Sequence, residues 1–271
     1  MDVVVGAGGC LTDVDFDQHL RPSGPGLLLD LRQARFVDPF GLVALAALTD
    51  DAVRAGVDVK FLAPLDASCA HYLHRMGVAD LFDGFGVAHR LPAVRRNDLG
   101  DRLFELQRFG ADAEAADLLA EQVFRIFAAD EPATARELYN SVSELANNVL
   151  EHSGESGGYL ALQQFERSAE VIFAVSDAGC GLREALQRAT SVRDDGHAIA
   201  LAVRRHVTST GEWGRGVGLN GLVRRTHRGG RLQLWSGRAS GVFRGGRIVP
   251  KLKRHVASFH GTVVQARIAR E

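Results

Sequence analysis

The chain has 271 residues, a length that gives a prior of one to two domains, of which two are expected, and its 46% hydrophobic and 24% charged content excludes a disordered, collagen-like or coiled-coil polypeptide. Its formal net charge is only -1, yet thirteen Arg and Lys and no Asp or Glu lie between Trp213 and Arg270, leaving -14 on the remainder. This asymmetry points the C-terminal stretch at a nucleotide phosphate, an acidic partner or nucleic acid, or else makes it a solvated face balanced by the acidic part.

The first residues, Val3-Val4-Val5-Gly6-Ala7-Gly8-Gly9, look like a dinucleotide-binding opening. Leu11 stands at the third glycine position, however, and Thr12-Asp13-Val14-Asp15 does not open a helix. The run is therefore read as an edge strand and turn. With no basic start to a leader and no apolar run of spanning length, a cytoplasmic, non-membrane protein is expected. Cys10, Cys69 and Cys180, odd in number and widely spaced, predict reduced thiols.

Leu27-Leu28-Leu29-Asp30-Leu31 reads as a buried strand bounded by Gly26. Pro39 in a first turn, with Leu42, Leu45, Ala46 and Leu48 beyond it, predicts an amphipathic helix ending at Gly56. A strand over 57–63 and a helix over 71–76, stopped by Gly77, complete a compact α/β unit with 78–82. Leu29-Asp30-Leu31, Phe36-Val37-Asp38-Pro39-Phe40-Gly41-Leu42, Val59-Lys60-Phe61-Leu62 and Gly77-Val78-Ala79-Asp80-Leu81-Phe82 together resemble a STAS domain, the fold of anti-sigma-factor antagonists. Pro39 and Phe40 occupy the places where phosphorylated family members carry a hydroxyl residue. The resemblance therefore implies a docking or sensing module rather than a phosphorylation substrate.

Residues 85–100 lose periodicity and carry Pro92, Arg95, Arg96 and Asn97, which separates an N-terminal domain at 1–88 from a second at 105–271 by a linker at 89–104. In the second domain two helices are predicted, over 111–128 and 132–152, the latter with Asp130 as N-cap and Pro132 in its first turn. Strands are predicted over 159–165 and 171–176, a helical or lid-like segment over 182–207, a helix over 219–227, and strands over 231–235, 242–243 with 248–249, and 262–269. Helices gathered on one antiparallel sheet make an α+β two-layer sandwich.

Three segments carry chemistry. In the 132–152 helix, Leu138, Val142, Leu145 and Val149 mark a buried stripe, and Glu144, Asn148 and His152 run along its edge at intervals of four. A carboxylate there can take a proton from water or a hydroxyl, and an Asn carbonyl one turn on can ligate a hard cation. By spacing alone the same pattern describes a solvated helix edge. Asp177-Ala178-Gly179-Cys180-Gly181 follows a strand; an ionised Asp there suits an amino group such as adenine N6, and the glycines admit close approach. A plain turn would read the same way. Gly214-Arg215-Gly216-Val217-Gly218-Leu219, preceded by Thr208-Ser209-Thr210-Gly211, opens a helix and forms an anion cradle. The only lysines are Lys60, Lys251 and Lys253, which excludes a Gly-x-x-x-x-Gly-Lys phosphate loop.

The order Glu-x-x-x-Asn, Asp-x-Gly-x-Gly, Gly-x-Gly-x-Gly-Leu resembles the GHKL ATP-binding (Bergerat) family of gyrase, sensor histidine kinases and anti-sigma-factor serine kinases. Leu145-Ala146-Asn147-Asn148-Val149-Leu150-Glu151-His152-Ser153-Gly154 matches that family's N box, and the closing Gly261-Thr262 agrees. The resemblance implies Glu144 as general base, Asn148 as Mg²⁺ ligand and Asp177 as adenine reader, with Gly179 and Gly181 shaping its pocket. It implies Gly214, Gly216 and Gly218 around the phosphates under a lid at about 208–216, and Thr210, Arg215, Val217, Leu219 and Thr262 among the nucleotide contacts. The expectation is an ATP- and Mg²⁺-binding regulatory protein. It would hydrolyse ATP or phosphorylate a protein serine, with a regulatory partner of STAS or sigma-factor type and dimerisation implied by the family. The alternatives are a nucleotide-dependent interaction switch without chemistry and, behind it, a nucleic-acid-binding ATPase.

Overall fold

The computed structural model describes residues 3–6, 8–22, 26–94, 103–110, 112–152, 157–164, 170–204, 218–226, 230–247 and 249–269. Its N-terminal part orders as β1 (Val3–Gly6), β2 (Cys10–Leu11), α1 (Phe16–His19), β3 (Leu20–Pro22), β4 (Leu27–Asp30), β5 (Phe36–Val37), α2 (Pro39–Arg54), β6 (Val59–Leu62), α3 (Ala67–Arg75) and α4 (Val78–Phe85). The sheet order is β3-β1-β4-β6, with β1, β4 and β6 parallel and β3 antiparallel to β1. The expected edge strand at the start is thus interior: β3 covers its outer side. Only three residues long and containing Arg21 and Pro22, β3 has too little apolar pattern to announce itself.

The second part comprises β7 (Leu103–Phe109), α5 (Ala113–Phe127), α6 (Pro132–His152), β8 (Gly158–Gln164), β9 (Glu170–Asp177), α7 (Gly181–Gln187), α8 (Asp195–Ala202), α9 (Gly218–Arg225), β10 (Arg231–Arg244) and β11 (Lys251–Ala269). Its five strands pair antiparallel in the order β10-β11-β9-β8-β7. Where a helical or lid-like segment was expected over 182–207, of which 205–207 lie outside the described residues, α7 and α8 are separate, and Asp194 caps α8 by accepting from His197 N at 2.8 Å. The strands expected at 231–235, 242–243 and 262–269 belong to one long hairpin, which continues beyond β9 after register shifts between Ser236 and Ala239; of the strand expected at 248–249, Val249 lies between β10 and β11 and Ile248 outside the described residues. β7 was not anticipated, and Leu103 brings it into the segment read as linker.

Alternation sorts the sheet's two faces. Leu160, Leu162, Phe173, Val175, Leu232, Leu234, Val264 and Ala266 join the helices in one core. Tyr159, Ala161, Ala174, Trp235, Phe259 and Val263 belong to the core of the N-terminal unit. The sheet is therefore a middle layer, with α5 to α9 on one side and α2 on the other. Every residue of α2 from Pro39 to Asp50 is buried, so the helix expected to be amphipathic is enclosed by two sheets.

Polar groups fix this docking. Asp38 caps α2 through Gly41 N, Phe40 N donates to Gln265 Oε1 at 2.9 Å, and Gln265 Nε2 donates to Asp38 Oδ2 at 3.1 Å. Ser176 Oγ donates to the Val43 carbonyl at 2.7 Å, and Tyr159 OH to Asp50 Oδ2 at 2.8 Å. None of the three cysteines forms a disulfide.

Candidate active site

The stripe on α6 is buried as the periodicity requires: Leu138, Val142, Leu145 and Val149 all face the helix-side core. Glu144 and Asn148 sit half-buried at its flank. Opposite Glu144 stands α9, where a Cβ on Gly221 would lie 3.8 Å from Glu144 Oε2. Arg225 on the same helix reaches back to α6. Its Nη1 donates to Ser141 Oγ at 3.0 Å and lies 3.9 Å from Glu144 Oε2, while its Nε lies 3.9 Å from Glu137 Oε1.

Glu144 Oε2 is shielded from solvent and accepts no hydrogen bond. Burial pushes its carboxyl above the ordinary value, and Arg225 opposes that rise. A carboxylate with a desolvated, unused lone pair is poised to accept a proton. Arg225 went unnoticed in the sequence. Its only signal was an Arg in the last turn of the helix that follows the glycine cluster.

Asp177 closes β9 on the helix-side face, level with Gly158 of β8 and Thr262 of β11. It is 7% exposed. Its carboxylate accepts from Gly179 N at 2.8 Å and from the Thr262 backbone N–H. Burial raises its pKa to about 6, against these two bonds and the nearby charges of His260 and Arg54. A carboxylate offers about four acceptor positions, so two backbone donors leave capacity for an amino group.

Around Asp177 the chain approaches itself closely. Gly261 takes φ 97°, and a Cβ there would stand 2.1 Å from the Asp177 carbonyl. Gly181 takes φ 75°, and its Cβ would stand 2.9 Å from Ser236 Oγ. Ser236 ties the two turns together by accepting from Leu182 N and donating to the Gly261 carbonyl, both at 2.9 Å. Thr262 Oγ1 donates to the same hydroxyl at 3.4 Å.

The structure thus brings Asp177, Gly179, Gly181 and Thr262 together at one sheet end. It sets Glu144 against α9, with Asn148 one turn further along α6, and α6 packs on both β9 and α7. Gly218 begins α9, and half-buried Leu219 packs on the helix-side core. Thr210, Gly214, Arg215, Gly216 and Val217 lie outside the described residues, as does the side chain of His152. Among the described residues no cluster of three His, Cys, Asp or Glu is placed to hold a metal.

The sequence motifs also missed a link from this site to the N-terminal unit. Arg54, at the end of α2, donates through Nη2 to the Ala178 carbonyl and through Nε to Asp50 Oδ1. His260, adjacent to Gly261, pairs with Asp51 at 2.9 Å. The Asp177 turn is thereby bolted to α2. Compared with protein-family models and with curated proteins, the chain finds no match in either.

Proposed function

We propose that this chain is an ATP- and Mg²⁺-dependent regulatory protein of GHKL type, carrying a STAS-like unit, which hydrolyses ATP or transfers its terminal phosphoryl group to a protein serine. The observation that carries the reading is Glu144, a half-buried carboxylate whose shielded Oε2 accepts no hydrogen bond and faces Arg225 at 3.9 Å, on a helix that also presents Asn148. Asp177 supplies a second support: its carboxylate ends β9 with acceptor capacity beyond its bonds from Gly179 and Thr262, in turns held tightly by the chain's own close approach at Gly181 and Gly261.

In this reading Asp177 accepts a hydrogen bond from the adenine amino group, and Gly179 and Gly181 shape the turn beside it. Asn148 offers its carboxamide oxygen to Mg²⁺, which when bound neutralises charge on the phosphate oxygens. Glu144 takes the proton from the attacking water or serine hydroxyl. Its raised pKa brings it nearer neutrality, where a general base is most effective.

A second reading, a nucleotide-controlled interaction switch without turnover, is favoured by the Arg54 to Ala178 bond and the His260–Asp51 pair. Occupancy at Asp177 would be felt directly by α2. One experiment separates the two: calorimetric titration with ATP and Mg²⁺, followed by phosphate release over hours. The enzyme reading expects Glu144→Gln to keep ATP affinity while losing about 10²-fold or more in turnover. Equal phosphate release from both proteins removes Glu144 as base, and zero heat of ATP binding removes the reading altogether.

A further inference from the structure

The basic C-terminal stretch divides into cations that are already neutralised and a group that is not. Arg225 faces Glu137 and Glu144, Arg254 pairs with Asp194 at 2.7 Å, and Arg231 and Arg267 meet the buried Asp13 at 3.0 and 3.2 Å. Lys253 is held by Asp17. Arg244, Arg247 and Lys251 are exposed and have no acidic partner among the described residues.

These three converge. The distal part of the β10–β11 hairpin projects past β9, and a groove of about 910 Å³ opens between it and the segment around Asp13 and Asp17. Five Arg and Lys line it against two carboxylates, an excess of three positive charges. Both carboxylates are spent on ion pairs with Arg231, Arg267 and Lys253. The groove therefore presents uncompensated positive potential, which focuses an incoming anion.

Its floor and rim select the kind of anion. Trp235, on the floor, is 1% exposed and covered by His255, whose ring stacks on it at 3.9 Å. Hence Trp235 has no free face on which a nucleic-acid base could stack. The rim carries apolar side chains in water: Val249 is 79% exposed, Val14 55% and Leu252 45%. Phosphodiester backbone has no use for such groups, whereas a polypeptide alternating acidic and apolar residues satisfies both features.

We infer that this groove is a docking site for an acidic, apolar-studded segment of a partner protein, read by Arg244, Arg247 and Lys251. The site is separate from the nucleotide reading and stands whether or not ATP is bound.

The test uses the full chain, a short fluorescein-labelled peptide alternating Glu and Leu, its Gln-for-Glu counterpart, and single- and double-stranded DNA. Anisotropy should show the Glu peptide binding, with the Gln peptide and DNA bound at least about tenfold more weakly, a difference of about 1.4 kcal/mol. Affinity should fall as salt rises. The triple variant Arg244→Glu, Arg247→Glu, Lys251→Glu should lose about tenfold or more, with an unchanged circular-dichroism spectrum and melting curve. If that variant melts early, the milder Arg247→Gln should still lower affinity. Tighter DNA binding abolished by the triple variant would make the groove a nucleic-acid surface and overturn the inference. So would peptide affinity indifferent to the substitutions, absence of peptide binding, or salt-sensitive self-association in sedimentation that the substitutions remove.

Discussion

Arg225 and Glu144 make a pair whose separation, 3.9 Å, is close enough for charge to act but too long for a hydrogen bond. Removing the guanidinium leaves burial unopposed, so Arg225→Ala raises the Glu144 pKa further. A base must be deprotonated to work. The acidic limb of the rate profile should accordingly move to higher pH in Arg225→Ala, measured as phosphate release across a pH series; an unmoved limb separates Arg225 from the base. Asp38 offers a second titration, in stability. Burial and the neighbouring Asp13 push its pKa up to about 7, against bonds from Gly41 and Gln265 and the charge of Arg267. A folded pKa above the unfolded value of about 3.9 means that the folded state holds the proton more tightly. The stabilisation is complete below about pH 4 and is lost as pH rises through about 7. Asp38→Asn, which keeps a capping oxygen, should flatten denaturant midpoints across that window.

Among the elements, α2 is the most demanding. A Cβ on Gly41 would stand 2.6 Å from the Leu11 carbonyl and 2.8 Å from Val37 Cγ1. Gly41→Ala should therefore cost about 1–3 kcal/mol in chemical denaturation despite alanine's better helix propensity; a neutral effect would show that the β2–β5 pair yields readily. The helices were the most legible part of the sequence. Pro39 and Pro132 in first turns and the Leu138 to Val149 spacing placed α2 and α6 closely, because caps and period are local properties. The breaks that were missed depend on distant partners. The gap between α7 and α8 is stabilised by the Asp194 cap and its pair with Arg254 on β11, sixty residues away. β3 is fixed by β1 rather than by its own three residues. At the candidate site, Glu144, Asn148 and Asp177 were singled out by the order of their motifs along the chain, whereas Arg225, Arg54 and His260 matter through contacts across the fold. One signal of the larger arrangement was present: Val171-Ile172-Phe173-Ala174-Val175 is apolar without alternation, the mark of a strand covered on both faces.

As a whole the molecule has one layer shared by two cores. Phe16 shows how closely they are joined. Its ring meets Phe40 at 5.3 Å in its own unit, and Trp235 at 5.2 Å and Phe259 at 6.4 Å in the other, all edge to face. Phe16→Ala should cost about 3–5 kcal/mol and shift a single calorimetric transition. Two peaks, with only the first displaced, would mean that the units unfold independently. Among the described residues no helix is long and apolar enough to cross a membrane.

The enclosure of α2 also has a practical result at the bench. A researcher who cuts the gene near codon 95 to express either half would strip the wrapping from Phe40, Leu42, Trp235 and Phe259 at once. Each fragment would expose that apolar surface to water, and mixing the two halves would be needed to cover it again.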